Sequence, residues 1–317
     1  MSDQKLTQKH QRAVAFAILI ACALAGIVAC STSRRDATPA RATPPTREVT
    51  DEAGRRLSVP SRPERIITLA PNLTEIVYAV GAGHRLVGNT TYCDYPQEAQ
   101  QVSKVGDTLQ PNIERIIALK PDLILISTAS QLEAFTTQLN ERNISVYVTD
   151  PRDLEAVFRS IERLGDVLDE RERAAKVAGN LRARSLAVEE KVKTRDPLKV
   201  FYQVSAEPLY TAGRDSFITD LISRAGGKSV TAEVAGAWPR YSNEAALATQ
   251  PEAIVMPTGD SMGAAANAEV NAALKNSPAV REGRVYRING DLLSRPGPRL
   301  VEGLEQLARA LHPEAFG

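Results

Sequence analysis

Apolar and polar positions divide the 317-residue chain into an apolar leader, a polar stretch, and a long region in which short apolar runs alternate with amphipathic ones. In the long region, Arg65 to Leu69, Leu86 to Thr90, Asp122 to Ile126 and Ser145 to Val148 have the length and Ile/Leu/Val content of buried strands. Helical patterns lie between them at Asn72 to Val80, Asn112 to Leu119 and Gln131 to Glu141, and REVTDEAGRRLSV ahead of them reads as a hairpin turning at Asp51 to Gly54. Alternating strands and helices with nearly continuous apolar strands predict a parallel sheet covered on both faces. A second set repeats the plan, with strands at Lys199 to Val204, Ala253 to Met256 and Val285 to Ile288 and helices near Ser216 to Arg224, Asn243 to Ala248 and Pro298 to Leu311.

Between the sets, Ala174, Val177, Ala178, Leu181, Ser185, Val188 and Val192 recur at steps of three and four from Arg171 to Lys193, opposite a face of Arg, Lys and Glu. This predicts one long amphipathic helix that stops before Pro197. A single stiff helix between two α/β lobes predicts a hinge of small amplitude.

The two halves also share a motif. NIERIIALKPDLIL (Asn112 to Leu125) and SNEAALATQPEAIV (Ser242 to Val255) align Glu114 with Glu244, Pro121 with Pro251, Asp122 with Glu252 and Ile124 with Ile254. Each glutamate falls in the first turn of a short helix, where the helix dipole favours a carboxylate by ~0.3–1 kcal/mol.

The leader carries Lys5, Lys9 and Arg12 before 17 apolar residues, Ala13 to Ala29, and ends in Ala29-Cys30. It has the form of a signal peptide (1-29), and the Ala-Cys junction is similar to a bacterial lipobox, in which Cys30 is lipidated after cleavage. An uncleaved transmembrane anchor is the alternative, because 17 apolar residues are just long enough to span; an anchor has no need of the Ala-Cys junction. Residues 30-47, rich in Thr, Ala and Pro, read as a flexible tether. Removing three basic residues and Asp3 with the leader leaves 36 basic against 37 acidic side chains, so no basic surplus points to nucleic acid. Of the three cysteines Cys22 leaves with the leader, and no CxxC pair suggests zinc or redox chemistry.

Five segments carry a family resemblance over nearly all of the mature chain: RIITLAPNLTEIVYAVGAGHRLVG, YCDYPQEAQ, NIERIIALKPDLILIS, WPRYSNEAALATQPEAIVM and SRPGPRLVEGLEQLARAL. In that order they resemble the extracytoplasmic substrate-binding proteins of ABC importers for cobalamin, haem and ferric siderophores, and are most similar to the cobalamin-binding branch. The resemblance implies two Rossmann-like lobes, 48-166 and 197-317, joined by a single long helix within 167-196, with the ligand cleft between the lobes. It also implies a monomer that partners a permease dimer and its ATPase, and a periplasmic or extracytoplasmic location with a lipid anchor. Glu114 and Glu244 are then the acidic residues, one per lobe, that dock on permease arginines; the alternative is that both only complement helix dipoles.

Ligands of open α/β sheets sit beyond the carboxyl ends of the strands. Loop residues expected there are Pro71, Asn72, Tyr92 and Tyr95 in the first lobe, and Trp238, Arg240, Asp291, Ser294 and Arg295 in the second. Aromatic faces with a few polar groups suit a flat macrocycle rimmed by amides. A packed loop anchor at Tyr95 and a structural Asp291–Arg295 bridge are the alternatives. Where cobalamin-binding members place aromatics in the first lobe, this chain has Thr108, Leu109, Ser127 and Thr128, which leaves haem or a ferric siderophore open as cargo.

No GxSxG, HExxH or P-loop occurs, and the histidines are only His10, His84 and His312, which gives an enzyme little to work with and a multi-histidine metal site nothing to build on. No catalytic residue, metal or cofactor is expected. A lipid-anchored hydrolase is the alternative from another class.

Overall fold

The computed structural model describes residues 45–127, 144–259 and 269–317, together with Thr136, Gln138, Leu139 and Arg142. The leader, Cys30, the tether as far as residue 44, Thr128 and most of the helix expected at Gln131 to Glu141 lie outside the described residues.

The chain opens with β1 (Thr46–Thr50) and β2 (Arg56–Pro60), an antiparallel hairpin that begins at the last two residues of the stretch read as tether. Its turn is held by Asp51, whose carboxylate accepts from the amides of Ala53 and Arg55 at 3.1 and 2.8 Å, while Gly54 supplies φ +79°. β3 (Ile66–Thr68), α1 (Pro71–Ala79), β4 (Leu86–Asn89), α2 (Ile113–Ala118), β5 (Leu123–Ser127) and β6 (Ser145–Thr149) build the first lobe around a parallel sheet of order β4-β3-β5-β6. Two helices follow, α3 (Leu154–Val167) and α4 (Arg171–Val192).

The second lobe comprises β7 (Leu198–Ala206), β8 (Leu209–Thr211), α5 (Phe217–Arg224), β9 (Gly227–Ser229), α6 (Asn243–Thr249), β10 (Ala253–Thr258), α7 (Pro278–Arg281), β11 (Val285–Asn289), α8 (Gly290–Leu293) and α9 (Leu300–Leu311). Its parallel strands run β9-β7-β10-β11, with β8 antiparallel on the carboxyl half of β7. In both sheets the first strand lies between the second and third, and the fourth flanks the third. The halves therefore share a topology as well as a motif.

The motif repeats as a hydrogen-bonded joint. Asn112 and Ser242 cap α2 and α6, accepting from the amides of Arg115 and Ala245 at 2.9 and 3.1 Å. Each helix then ends in a left-handed residue before its proline, Lys120 at φ 47° and Gln250 at φ 41°. The acid after the proline clips the following strand to the first strand of its lobe: Asp122 accepts from the amides of Glu64 and Arg65, and Glu252 from the amide of Lys199.

Successive strand residues feed opposite layers, as the period of two requires. Ile66, Leu123, Leu125 and Tyr147 join Val200, Tyr202, Ala253 and Val255 in one apolar cluster that runs through α3, α4 and α9 from lobe to lobe. Ile67, Ile124 and Val146 face an outer layer of the first lobe, and Phe201, Ile254 and Met256 one of the second. The connection has a second helix: α3, which the sequence reading leaves unassigned, packs along α4 on Val157, Phe158, Ile161 and Leu164. A Cβ at Gly165 would collide with the Cβ of Ala174 at this crossing. Gly165→Val is therefore expected to cost ~1–3 kcal/mol through overpacking, read as a lowered midpoint of chemical denaturation with unchanged slope.

Candidate ligand-binding site

The carboxyl ends of the two sheets meet at a seam. In the first lobe Pro71, already at helical φ, starts α1 straight after β3. Asn72 behind it is buried and donates from Nδ2 to the Pro296 carbonyl of the second lobe at 3.3 Å. One turn on stands Glu75, only 3% exposed. The loop after β4 presents Tyr92 and Tyr95, each 47% exposed. Lys104 holds its base, donating from Nζ to Asn89 Oδ1 and to the carbonyls of Cys93 and Ala99 at 2.8, 3.0 and 3.2 Å. Burial pushes this amine below the usual lysine range, against the pull of Cys93 and Asp94. Cys93 is a buried free thiol.

In the second lobe residues 237–241 run beside β8, with Thr211 and Tyr241 donating their amides to the Pro239 and Leu209 carbonyls at 3.2 and 2.9 Å. Gly213 has no room for a Cβ against the Gly236 and Val234 carbonyls. This packing displays Trp238, 40% exposed, edge-on to Phe217 at 6.1 Å between ring centroids. Arg240 is exposed beside it, and no described carboxylate pairs with it. After β11, Asn289 caps α8, which carries Asp291, and Ser294 and Arg295 follow.

The lobes are joined across the seam by an ion cluster. Arg295, 7% exposed, meets Asp94 at 2.7 Å, Asp291 at 2.9 Å and Glu75 at 3.4 Å, and its Nη2 donates to the Tyr92 carbonyl at 3.4 Å. Arg299 grips Glu75 with two bonds, Nε to Oε2 at 3.0 Å and Nη2 to Oε1 at 2.6 Å, and its guanidinium lies 4.0 Å from the centroid of the Tyr95 ring. Burial works to raise the Asp94 carboxyl, but the bond and charge of Arg295, with Arg299 behind it, hold it below the usual range. A carboxyl depressed in the fold contributes above its unfolded pKa and loses that contribution as pH falls through the lower folded value. The difference in melting temperature between wild type and Asp94→Asn is thus expected to be constant at neutral pH and to vanish only in acid, below the ordinary aspartate range.

Of the residues singled out in the sequence, the structure brings Asn72, Tyr92, Tyr95, Asp291 and Arg295 into this cluster, with Pro71 beside them. Ser294 lies next to Tyr202, whose buried hydroxyl is pushed upward by desolvation, an effect that Ser294 partly offsets. Trp238 and Arg240 stand apart, with no hydrogen bond or ion pair to the cluster among the described residues. Sequence reasoning missed Glu75 and Arg299 in the cluster, and Tyr210, a partly exposed aromatic whose backbone bridges to Arg240; Asp94 lies within the loop it expected there. Leu109 is 70% exposed, and Ser127 ends β5. A cavity of about 540 Å³ lies elsewhere, where the hairpin meets Tyr147 and α3, and contains none of these residues.

Glu114 and Glu244 are both exposed in the first turns of α2 and α6, and no described cation pairs with either. No helix among the described residues is long and apolar enough to cross a membrane.

Doubled α/β lobes with a common strand order and a seam at their carboxyl ends define a bilobed binding protein. The family model of the periplasmic binding proteins matches residues 66–292, and the chain belongs to that family, whose members are transport components serving ABC importers. An uncharacterized ABC transporter substrate-binding lipoprotein of Bacillus subtilis, YvrC, is 35% identical over 275 residues, covering 84% of this chain and 86% of its own. A vitamin B12-binding protein of Vibrio parahaemolyticus is 32% identical over 242 residues, covering 76% and 86%. The crystal structure of the periplasmic vitamin B12 binding protein BtuF of Vibrio cholerae superposes with a TM-score of 0.70 at 31% identity, over 80% of this chain and 98% of that one. These relationships place the chain among transport components.

Proposed function

We propose that this substrate-binding protein captures a corrinoid of the cobalamin type at the seam and delivers it to an ABC permease. The observation that carries the reading is the exposure of large aromatics at the carboxyl ends of both sheets, Tyr92 and Tyr95 on one side and Trp238 on the other, in a chain related to vitamin B12-binding proteins. Flat faces of this kind pack against a macrocycle, while Arg240, Asp291 and Ser294 offer polar groups to its amide rim and buried Asn72 fixes the Pro296 segment. Arg295, held by three carboxylates, shapes the floor between them. Cargo stabilises the seam by contacting both walls at once, and the permease releases it by separating them. No bond of the cargo is made or broken.

Docking falls to Glu114 and Glu244. Each lobe offers a carboxylate, unpaired among the described residues, at the same position of its repeat, which suits a two-fold partner and steers encounter. Cys30 is the site of lipidation, with the chain between it and β1 spacing the lobes from the membrane. Labelled palmitate should enter the full-length chain and be lost in Cys30→Ser.

The test is the absorption spectrum of the purified chain after incubation with cobalamin or haem and removal of free ligand. Cobalamin bands at one equivalent per chain are the expected result. Haem bands alone would favour haem, with Tyr92 or Tyr95 as the axial group; neither spectrum would favour a ferric siderophore. Trp238→Ala is expected to weaken cobalamin binding by ~2 kcal/mol or more, the range of a buried aromatic anchor, as measured by titration calorimetry.

A further inference from the structure

The ion cluster joins residues far apart in sequence: Glu75 and Arg299 are separated by 224 positions. Its charged groups come from α1, from the loop after β4 and from the segment beginning at α8, and none comes from α3 or α4. The lobes are thus tied twice, by the helix pair that connects them and by this cluster at the seam. A body tied at two separate places cannot swing about one of them while the other holds.

Glu75 is the centre of the second tie. It is the most deeply buried of the three carboxylates, and it pairs with both arginines. Asp94 and Asp291 pair with Arg295, whereas Arg299 is bonded to Glu75 and feels Asp291 and Asp94 as more distant charges. Arg299 in turn lies over the Tyr95 ring. The position of the Arg299 guanidinium, and of the Tyr95 ring beneath it, therefore depends on where this carboxylate sits, while Arg295 is held across the seam by Asp94 as well as by Glu75.

We propose that Glu75 is the positioning residue of the seam: by clasping Arg295 and Arg299 of the opposite lobe it sets a single separation of the lobes in the ligand-free protein and presents Tyr95 preformed to cargo. The statement about cargo rests on the reading of the seam as the ligand site; the statement about separation does not. Cargo then meets a surface already arranged, and its binding energy is not spent on closing the lobes. Glu75→Gln keeps the size of the side chain but faces a guanidinium with an amide donor, so the two-bond grip of Arg299 is lost.

The experiment measures the distance between spin labels in the ligand-free mature chain, placed at the repeat-equivalent exposed positions by Glu114→Cys and Glu244→Cys, with Cys30→Ser and with Cys93 buried. The expected result is one narrow distance distribution, unchanged by cobalamin, which becomes broad or longer in Glu75→Gln. Arg299→Gln breaks the same grip from the other lobe and is expected to broaden the distribution likewise, which keeps the test decisive where Glu75→Gln does not fold. Cobalamin affinity should fall about tenfold or more in either variant through loss of preorganisation. A distribution that stays narrow in both variants overturns the proposal, whether or not the wild type binds cobalamin. A broadened distribution in a chain that takes up no cobalamin upholds the clasp and counts instead against the seam as a cobalamin site.

Discussion

Glu114→Lys combined with Glu244→Lys is expected to abolish cargo uptake by cells while the purified protein binds cargo as tightly as the wild type. Both side chains are exposed and unpaired among the described residues, so their reversal breaks no bond of the fold. Each replacement trades a favourable charge for an unfavourable one at a helix N-terminus, a cost of ~0.6–2 kcal/mol per site that a protein of this size withstands. Under the proposed docking, a lysine facing a permease arginine would repel where the glutamate attracts, once in each lobe. Either single variant should retain part of the uptake. Loss of cargo binding in the double variant, or uptake that persists in it, would refute the docking assignment. The comparison requires uptake in cells alongside affinity of the purified chain.

Arg85→Ala is expected to produce the largest loss of stability, ~3 kcal/mol, toward the low end for breaking a buried ion pair. Arg85 is buried, donates from Nη1 to the carbonyls of Pro63 and Leu168 at 3.0 and 2.8 Å, and reaches Glu170 with Nη2 at 2.6 Å. It thereby fastens the turn between α3 and α4 to the first lobe. Its removal leaves two carbonyls and a largely buried carboxylate without their donor. Arg173 remains 3.7 Å from Glu170, which keeps the cost from reaching the upper end of the range. A urea denaturation series on wild type, Arg85→Lys and Arg85→Ala would read the effect. A loss below ~1 kcal/mol would mean that the turn holds without this anchor.

The strands were legible because parallel strands buried on both faces leave continuous Ile, Leu and Val runs such as LILIS at Leu123–Ser127. The repeat was legible because each element of its joint is a residue type: an N-cap, a proline, and an acid that clips one strand to another. α3 was missed although Leu154, Val157, Phe158, Ile161 and Leu164 have helical spacing behind the cap Asp153, whose carboxylate accepts from the Ala156 amide. That signal was available and could have found it. The shared core follows from α3, since the inner faces of both sheets pack against the helix pair and not on separate layers.

Glu75 and Arg299 were not legible. Nothing local distinguishes a glutamate inside PNLTEIVYA or an arginine before the last long helix, and their meaning arises only when the fold sets two lobes against each other. Lys104 is a similar case, because a lysine that serves three neutral acceptors carries no pattern in the sequence. Exposed aromatics are the intermediate case. Tyr92, Tyr95 and Trp238 sit in loops after strands, where residue type and position together suggested a binding role.

The stiffness implied by two ties bears on how cargo is recognised. Under the proposed clasp the seam is preformed and selects by shape, so the side chains at Thr108 and Leu109 would bear on the choice of cargo more directly than in a protein that closes around its ligand. Leu109 remains the most exposed large apolar side chain among the described residues.

Trp238 is the only tryptophan in the chain and belongs to the proposed cargo wall of the second lobe, so its fluorescence would report on cargo bound there. Titration of the mature chain with cobalamin, observed through tryptophan emission, is expected to quench that emission with a break at one equivalent. Cobalamin retained by the protein while the emission of Trp238 stays unchanged would place the cargo elsewhere and contradict the seam as its site.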